Sequence, residues 1–149
     1  MKIDIHNTPF LSKNDFKLLI MKVDSWFISP LFSRSINKEE YCNKLYTKAS
    51  FVIVEDNDEI VGFTAFYKNT EIMQLYIPII GVDNKCRKLG LGSRMLDRLQ
   101  EYKTEGYRSI GLEVKKANEG AYKFYKKHGF KETEDRGEKL LMVKCKHSN

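Results

Sequence analysis

The segment Ile79-Ile80-Gly81-Val82-Asp83-Asn84-Lys85-Cys86-Arg87-Lys88-Leu89-Gly90-Leu91-Gly92-Ser93-Arg94 constrains the fold more than any other part of the chain. It reads as a strand, a basic loop, two close glycines and the start of a helix. Glycine takes φ > 0 at little cost and lets a backbone come close to a ligand. A helix start presents unpaired N–H groups and a partial positive charge. Together these features suit a bound phosphate, and Arg87, Lys88 and Arg94 add positive charge. A plain turn into a helix explains the same letters. Two nucleotide signatures are excluded, because GxxxxGK[ST] is absent and Gly90-x-Gly92 lacks the third glycine of GxGxxG.

The rest of the pattern surrounds this segment with alternating periods. Residues 2–6 read as a strand, and Ser12-x-x-Asp15 is a capping signature ahead of the helical stripe Phe16, Leu19, Ile20 and Val23. Trp26, Phe27 and Ile28 extend that helix to Pro30, which stops it. Asn37-x-x-Glu40 opens a second helix with Tyr41 and Leu45. Phe51–Val54 and Ile60–Tyr67 then form a hairpin about the turn Asp56-Asn57-Asp58. A strand from Glu71 to Val82 holds Pro78, which cannot donate to a ladder and so marks a bulge. A helix over 92–105 carries Met95, Leu99 and Tyr102 and precedes the strand of Ile110, Leu112 and Val114. Asn118 caps a helix closed by Gly129, and strands over 130–134 and 139–144 follow. The order β-α-α-β-β-β-α-β-α-β-β, with one helix crossing between strands, predicts a parallel pair inside a mixed sheet, an α/β (α+β) fold.

Nothing in the sequence divides it: three prolines, no Gly- or Ser-rich tract and no repeat predict one domain over 1–145 with a frayed tail at 146–149. The longest apolar run, Ile77 to Val82, falls far short of the roughly 20 residues of a membrane span. The start Met1-Lys2-Ile3-Asp4-Ile5-His6 lacks a signal-peptide run. Cys42, Cys86 and Cys145 lack CxxC spacing, so neither a disulfide framework nor a metal site is expected, and the cytoplasm is the expected compartment. The net charge of +6 favours an anionic partner, but the bases are scattered and signal no nucleic-acid stripe.

The pattern Arg87-x-x-Gly90-x-Gly92 resembles the [Arg/Gln]xxGx[Gly/Ala] signature of the GNAT superfamily of N-acetyltransferases. A second block, Leu112-Glu113-Val114, Asn118, Ala121, Phe124-Tyr125 and Gly129-Phe130, is similar to that family's "LxV…N…A…FY…GF". The resemblance covers about residues 50–145, and its two motifs stand in the family's order. It implies a seven-stranded mixed sheet with four helices on both faces and a splayed parallel pair. It also implies acetyl-CoA as cosubstrate: Arg87, Lys88, Leu89, Gly90, Leu91, Gly92 and Ser93 would bind its pyrophosphate. The amides of Ile80 and Val82 would face pantetheine and the acetyl carbonyl, and Asn118 would bond the cofactor.

Acetyl transfer to an amine needs a proton removed from the ammonium, a stabilised carbonyl oxygen and a protonated thiolate. The resemblance places Tyr125 near the CoA sulfur as general acid, with a half-buried core aromatic as the plain alternative. Glu113 is the candidate base, directly or through water. It alternates with Leu112 and Val114 and lies twelve residues before Tyr125, the spacing of relatives that acetylate protein N-termini. A surface glutamate paired with a lysine is its alternative, and a helix cap is that of Asn118. Tyr122 lies one turn before Tyr125, and His128 reads as a C-terminal helix cation.

The resemblance implies a primary amine of a small molecule or peptide as the acceptor. The aromatic segment Trp26, Phe27, Pro30, Leu31, Phe32, Ser33 and Arg34 reads either as its wall or as a seal beneath the first helix. The stretch from Ser29 through Tyr67 looks similar to acetyltransferase-like proteins of bacterial polysaccharide biosynthesis, which implies an amino sugar. A homodimer using strands 130–144 is open. Two other readings remain, a non-catalytic CoA-sensing module and a basic interaction domain.

Overall fold

The computed structural model describes residues 1–7, 9–27 and 37–145, with the backbone alone at 103 and 104. The elements are β1 (Lys2–His6), α1 (Lys13–Asp24), α2 (Lys38–Lys48), β2 (Ser50–Asp56), β3 (Glu59–Asn69) and β4 (Gln74–Val82), then α3 (Leu91–Leu99), β5 (Ser109–Lys115), α4 (Glu119–Lys127), β6 (Lys131–Arg136) and β7 (Lys139–Cys145). Short 3₁₀ helices flank α3 at Asn84–Leu89 and Gln100–Glu105. The seven strands are ordered β1-β2-β3-β4-β5-β7-β6, with β4 and β5 parallel. The expected fold class holds. Contacts group the chain into two compact units, Met1–Phe66 with Ile79–Arg98, and Tyr67–Pro78 with the chain from Leu99 onward.

In the first unit, capping fixes both helix starts. Ser12 accepts from the Asp15 N–H at 3.2 Å, and Asn37 accepts from Glu39 and Glu40 at 3.0 and 3.2 Å. α1 ends at Asp24, not at Pro30. The Ser25 hydroxyl bonds the Lys22 carbonyl at 2.5 Å, and the Trp26 and Phe27 N–H groups turn back to Val23 and Asp24. The backbone tightens to i−3 spacing while Trp26 stays buried, so the apolar period outlasts the helix. The β2–β3 turn is the two-residue loop Asn57-Asp58 with φ of 52° and 66°, the twist a right-handed hairpin favours. Phe16, Phe51 and Phe63 are buried and meet ring to ring at 5.4 and 5.7 Å. Each contributes roughly 1.5–3 kcal/mol by leaving water.

The second unit is built on β5. Gln74–Ile77 of β4 pair with Ser109–Leu112 in parallel, and Pro78 follows the last pair. β7 pairs with β5 along its whole length. Ile110, Leu112, Val114 and Met142 are buried on one face with Tyr125 and Phe130. Gly129, at φ 91°, closes α4 in the position expected of it. β6, Lys-Glu-Thr-Glu-Asp-Arg, is exposed throughout, the charged composition that protects a sheet edge. A bulge between Glu132 and Glu134 takes Thr133 out of the strand register, its hydroxyl donating to the Leu141 carbonyl at 3.3 Å, and changes which face the residues on either side occupy.

The crossover helix is shorter than expected. Its α-helical part stops at Leu99, and residues 100–105 wind as a 3₁₀ helix before Gly106 at φ 91°. Tyr102 remains buried although the backbone tightens.

Candidate active site

The loop residues singled out by sequence lie on one continuous stretch of the first unit. Ile80 and Val82 are half-buried and alternate along β4 with the buried Ile79 and Gly81. A Cβ on Gly81 would stand 2.9 Å from the Phe27 ring, so this strand position admits no side chain without moving that ring. Asp83 caps the 3₁₀ helix through the Lys85 N–H at 3.0 Å. Arg87 donates to the Trp26 carbonyl, so one guanidinium nitrogen secures the end of α1. Lys88 and Leu89 are exposed, and Cys86 is buried.

Gly90 then adopts φ 70° and stands immediately before α3. A cap residue normally offers a side-chain oxygen to the first helical amides. Glycine has none, so the α3 start receives no such cap from Gly90. A Cβ at Gly90 would meet nothing within 4 Å. Leu91 turns inward and is buried, which leaves Gly92 and Ser93 half-buried and Arg94 exposed on the first turn.

In the second unit, Glu113 projects from the β5 face opposite Leu112 and Val114, as its alternation requires. It is not free: Arg136 Nη1 lies 3.1 Å from its Oε2, and the Tyr76 phenol is close enough to feel its charge. The expected lysine partner is an arginine. Burial, with Glu113 close by, pushes the Tyr76 phenol up to about 12, so Tyr76 is a neutral donor at ordinary pH. Neither Tyr76 nor Arg136 was signalled by sequence. The alternation Tyr76-x-Pro78-x-Ile80 could have placed Tyr76 on its strand face. The Arg136 contact depends on the register of β6 on β7, which carries no sequence signature.

Tyr125 is buried on α4 against Phe124 and Phe130, with ring centroids at 5.3 and 5.5 Å. Burial raises its phenol pKa well above the ordinary value. Tyr122, its neighbour one turn earlier, donates to Glu132. The Asn118 side chain accepts from the Ala121 N–H at 3.0 Å and caps α4. His128 is the α4 C-cap, with Nδ1 2.8 Å from the Phe124 carbonyl oxygen. Of the aromatic segment, Trp26 is buried and Phe27 half-buried. Residues 28–36, including Pro30 to Arg34, and the tail 146–149 lie outside the described residues.

The raised tyrosines have a consequence for stability. Tyr67 and Tyr76 are each pushed up to about 12 by burial, and Tyr125 is raised too. An unfolded phenol ionises near pH 10. Below that value both states hold the proton and the full contribution is present. As pH climbs from about 10 toward 12 the unfolded state ionises first, so stability is lost. Urea midpoints should therefore fall steadily between pH 9.5 and 11.5 (roughly the phenol range), and less steeply in Tyr125→Phe.

Among the described residues, no group of three or more His, Cys, Asp or Glu is placed to hold a metal ion, and Cys42, Cys86 and Cys145 are free thiols. No described helix is long and apolar enough to cross a membrane.

Residues 20–130 match the family model described as the acetyltransferase (GNAT) family. A Drosophila melanogaster protein named "Probable N-acetyltransferase san" is 34% identical over 104 residues, which cover 67% of this chain and 56% of that protein. The 5-NmdU N-acetyltransferase of Pseudomonas phage PaMx11 is 31% identical over 85 residues, covering 57% of this chain and 59% of that one. The chain thus spans little more than half the length of these curated relatives. The solved structure of PaiA N-acetyltransferase from Thermoplasma acidophilum, in complex with coenzyme A, matches with a TM-score of 0.73 at 19% identity, covering 98% of this chain and 100% of that one. At that identity the likeness is one of fold.

Proposed function

Because the chain belongs to the acetyltransferase (GNAT) family, we propose that it moves an acetyl group from acetyl-CoA directly to a primary amine. The observation that carries this reading is Gly90. It sits at φ 70° with open space where a Cβ would be, ahead of a helix start it cannot cap. The amides of residues 90–93 suit the CoA pyrophosphate, with Arg87 and Lys88 supplying charge. Ile80 and Val82 offer backbone to the pantetheine and to the carbonyl oxygen.

The chemistry then assigns roles. At neutral pH only roughly one alkylamine in a thousand is unprotonated, given a pKa near 10.4. Glu113 takes the ammonium proton, directly or through water. The amine nitrogen attacks the thioester carbon, the new C–N bond forms, the C–S bond breaks, and the nitrogen's second proton leaves with the CoA thiol. Tyr125 holds its proton at this pH and presents it to the departing thiolate. The acceptor is a small molecule or peptide with a primary amine, and an amino sugar is the first class to try.

The test is a thermal shift with acetyl-CoA followed by a thiol-release screen over amino sugars, peptides and polyamines. Acetyl-CoA at a hundred times its Kd should stabilise the fold by about 2.7 kcal/mol. No shift at millimolar acetyl-CoA would sink the reading. A shift without thiol release from any amine would reduce the protein to a CoA-binding module. Asn118 has a narrower test. Asn118→Ser keeps a capping oxygen, whereas Asn118→Ala should cost about 1 kcal/mol in urea unfolding. If both variants lose affinity for acetyl-CoA equally, the asparagine amide meets the cofactor; if Ser retains it, the cap is the whole role.

A further inference from the structure

Glu113, Leu141 and Glu134 stand in one row across β5, β7 and β6. The outer two backbones are therefore about 10 Å apart. Arg136, two residues beyond Glu134 on the same face, spans the row. Its Nη1 lies 3.1 Å from Glu113 Oε2 and its Nη2 lies 3.3 Å from Glu134 Oε2. The side chains of Arg136, Glu113 and Glu134 are 37%, 29% and 56% exposed, so water and small solutes reach all three. Tyr76, on β4, lies near Glu113 from its own strand.

Glu113 thus has two neighbours of different kinds. Tyr76 is neutral and half-buried. Arg136 is charged, solvated and already shared with a competing carboxylate. The guanidinium carries the same charge as the ammonium a base at this position must receive, and two cations do not share one carboxylate cheaply. We infer that Arg136 is a displaceable counter-ion: the acceptor's ammonium takes its place on Glu113, and the guanidinium remains on Glu134. This rests on Glu113 serving as the base. The exchange leaves the local charge unchanged, and the neutral Tyr76 phenol beside the carboxylate does not compete for it while its partner changes. It selects acceptors that arrive as cations, since a neutral or anionic group has no claim on the position Arg136 leaves.

The experiment follows the Arg136 side-chain Nε resonance of the ¹⁵N-labelled protein during titration with ethylammonium chloride, against potassium chloride at matched ionic strength. A saturable shift with ethylammonium alone, abolished in Glu113→Gln, is expected. Equal responses to the two salts, or a response that survives Glu113→Gln, would overturn the inference. Kinetics supply the second arm, with acetyl-CoA and ethylamine. Glu134→Gln leaves Glu113 as the sole holder of Arg136, so displacement becomes harder. The amine KM should rise about two- to fivefold, the scale of one exposed ion pair, with a smaller change in kcat. A purely structural ion pair would lower stability without separating KM from kcat, and that result also counts against the exchange. Undiminished turnover in Glu113→Gln would instead remove the base assignment, while a resonance shift would still establish the cation exchange.

Discussion

Gly90→Val should lose acetyl-CoA binding by at least about 100-fold, equivalent to 2.7 kcal/mol. Two effects act in this variant and can be separated. The left-handed backbone, φ 70°, strains any residue with a Cβ by about 1–2 kcal/mol, and a β-branched one most. That strain lowers the melting temperature by a few degrees whether or not a ligand binds. The second effect is occlusion. A Cβ here meets no protein atom within 4 Å, so in the free protein it costs nothing sterically and only an incoming ligand would feel it. Gly90→Asn divides the two, because asparagine tolerates this backbone region yet still fills the space. Near-wild-type melting with lost acetyl-CoA stabilisation is expected of Asn. If Gly90→Asn binds acetyl-CoA normally by calorimetry, the diphosphate does not approach this backbone, and the loop assignment fails.

Tyr125→Phe is expected to bind acetyl-CoA almost normally and to lose about 10²-fold in kcat, or 2.7 kcal/mol of transition-state stabilisation. That is the scale of removing one positioned donor from developing negative charge. The size of the loss also bears on how the phenol acts. A thiol ionises near 8.5, and burial raises the Tyr125 phenol above its ordinary value near 10. Full proton transfer to the thiolate is uphill, so the phenol stabilises the leaving group chiefly as a hydrogen-bond donor. For that reason no new limb should enter the pH–rate profile below pH 10 (about the free phenol value), in wild type or variant. Single-turnover thiol release from pH 6 to 9 (roughly three units below the phenol range) measures both quantities. A turnover within twofold of wild type would leave Tyr125 a core aromatic, the role its contacts with Phe124 and Phe130 already fulfil.

Much of the fold was legible because local chemistry announces it. Ser12, Asn37 and Asn118 cap the helices they were read to cap, and Gly129 closes α4. The turn at Asn57-Asp58 and the alternation of Ile110, Leu112 and Val114 likewise follow from side-chain type and period. The errors have one cause. Trp26 and Tyr102 continue an apolar helical period past the end of the α-helix, because burial needs a side chain at a given place and not a particular backbone. The left-handed turn at Gly90 ahead of α3 was readable from glycine spacing. The surroundings of Glu113 were not, since Tyr76 and Arg136 come from two other strands and reach it only through sheet register.

That register turns on Thr133. With an unbroken pairing, Glu134 would fall opposite Leu140, and Arg136 would share the face of Glu132, which Tyr122 occupies from α4. The bulged threonine works as a one-step phase shifter in a period-two code. Losing that single residue would leave Glu134 opposite Leu141 and Arg136 opposite Lys139, whereas carrying the pairing of Glu132 unbroken through β6 would turn the guanidinium to the helix side and leave Glu113 without it, with no change to any group that carries the chemistry. The phase of this edge strand therefore sets which partner the carboxylate meets, without any change to the carboxylate itself.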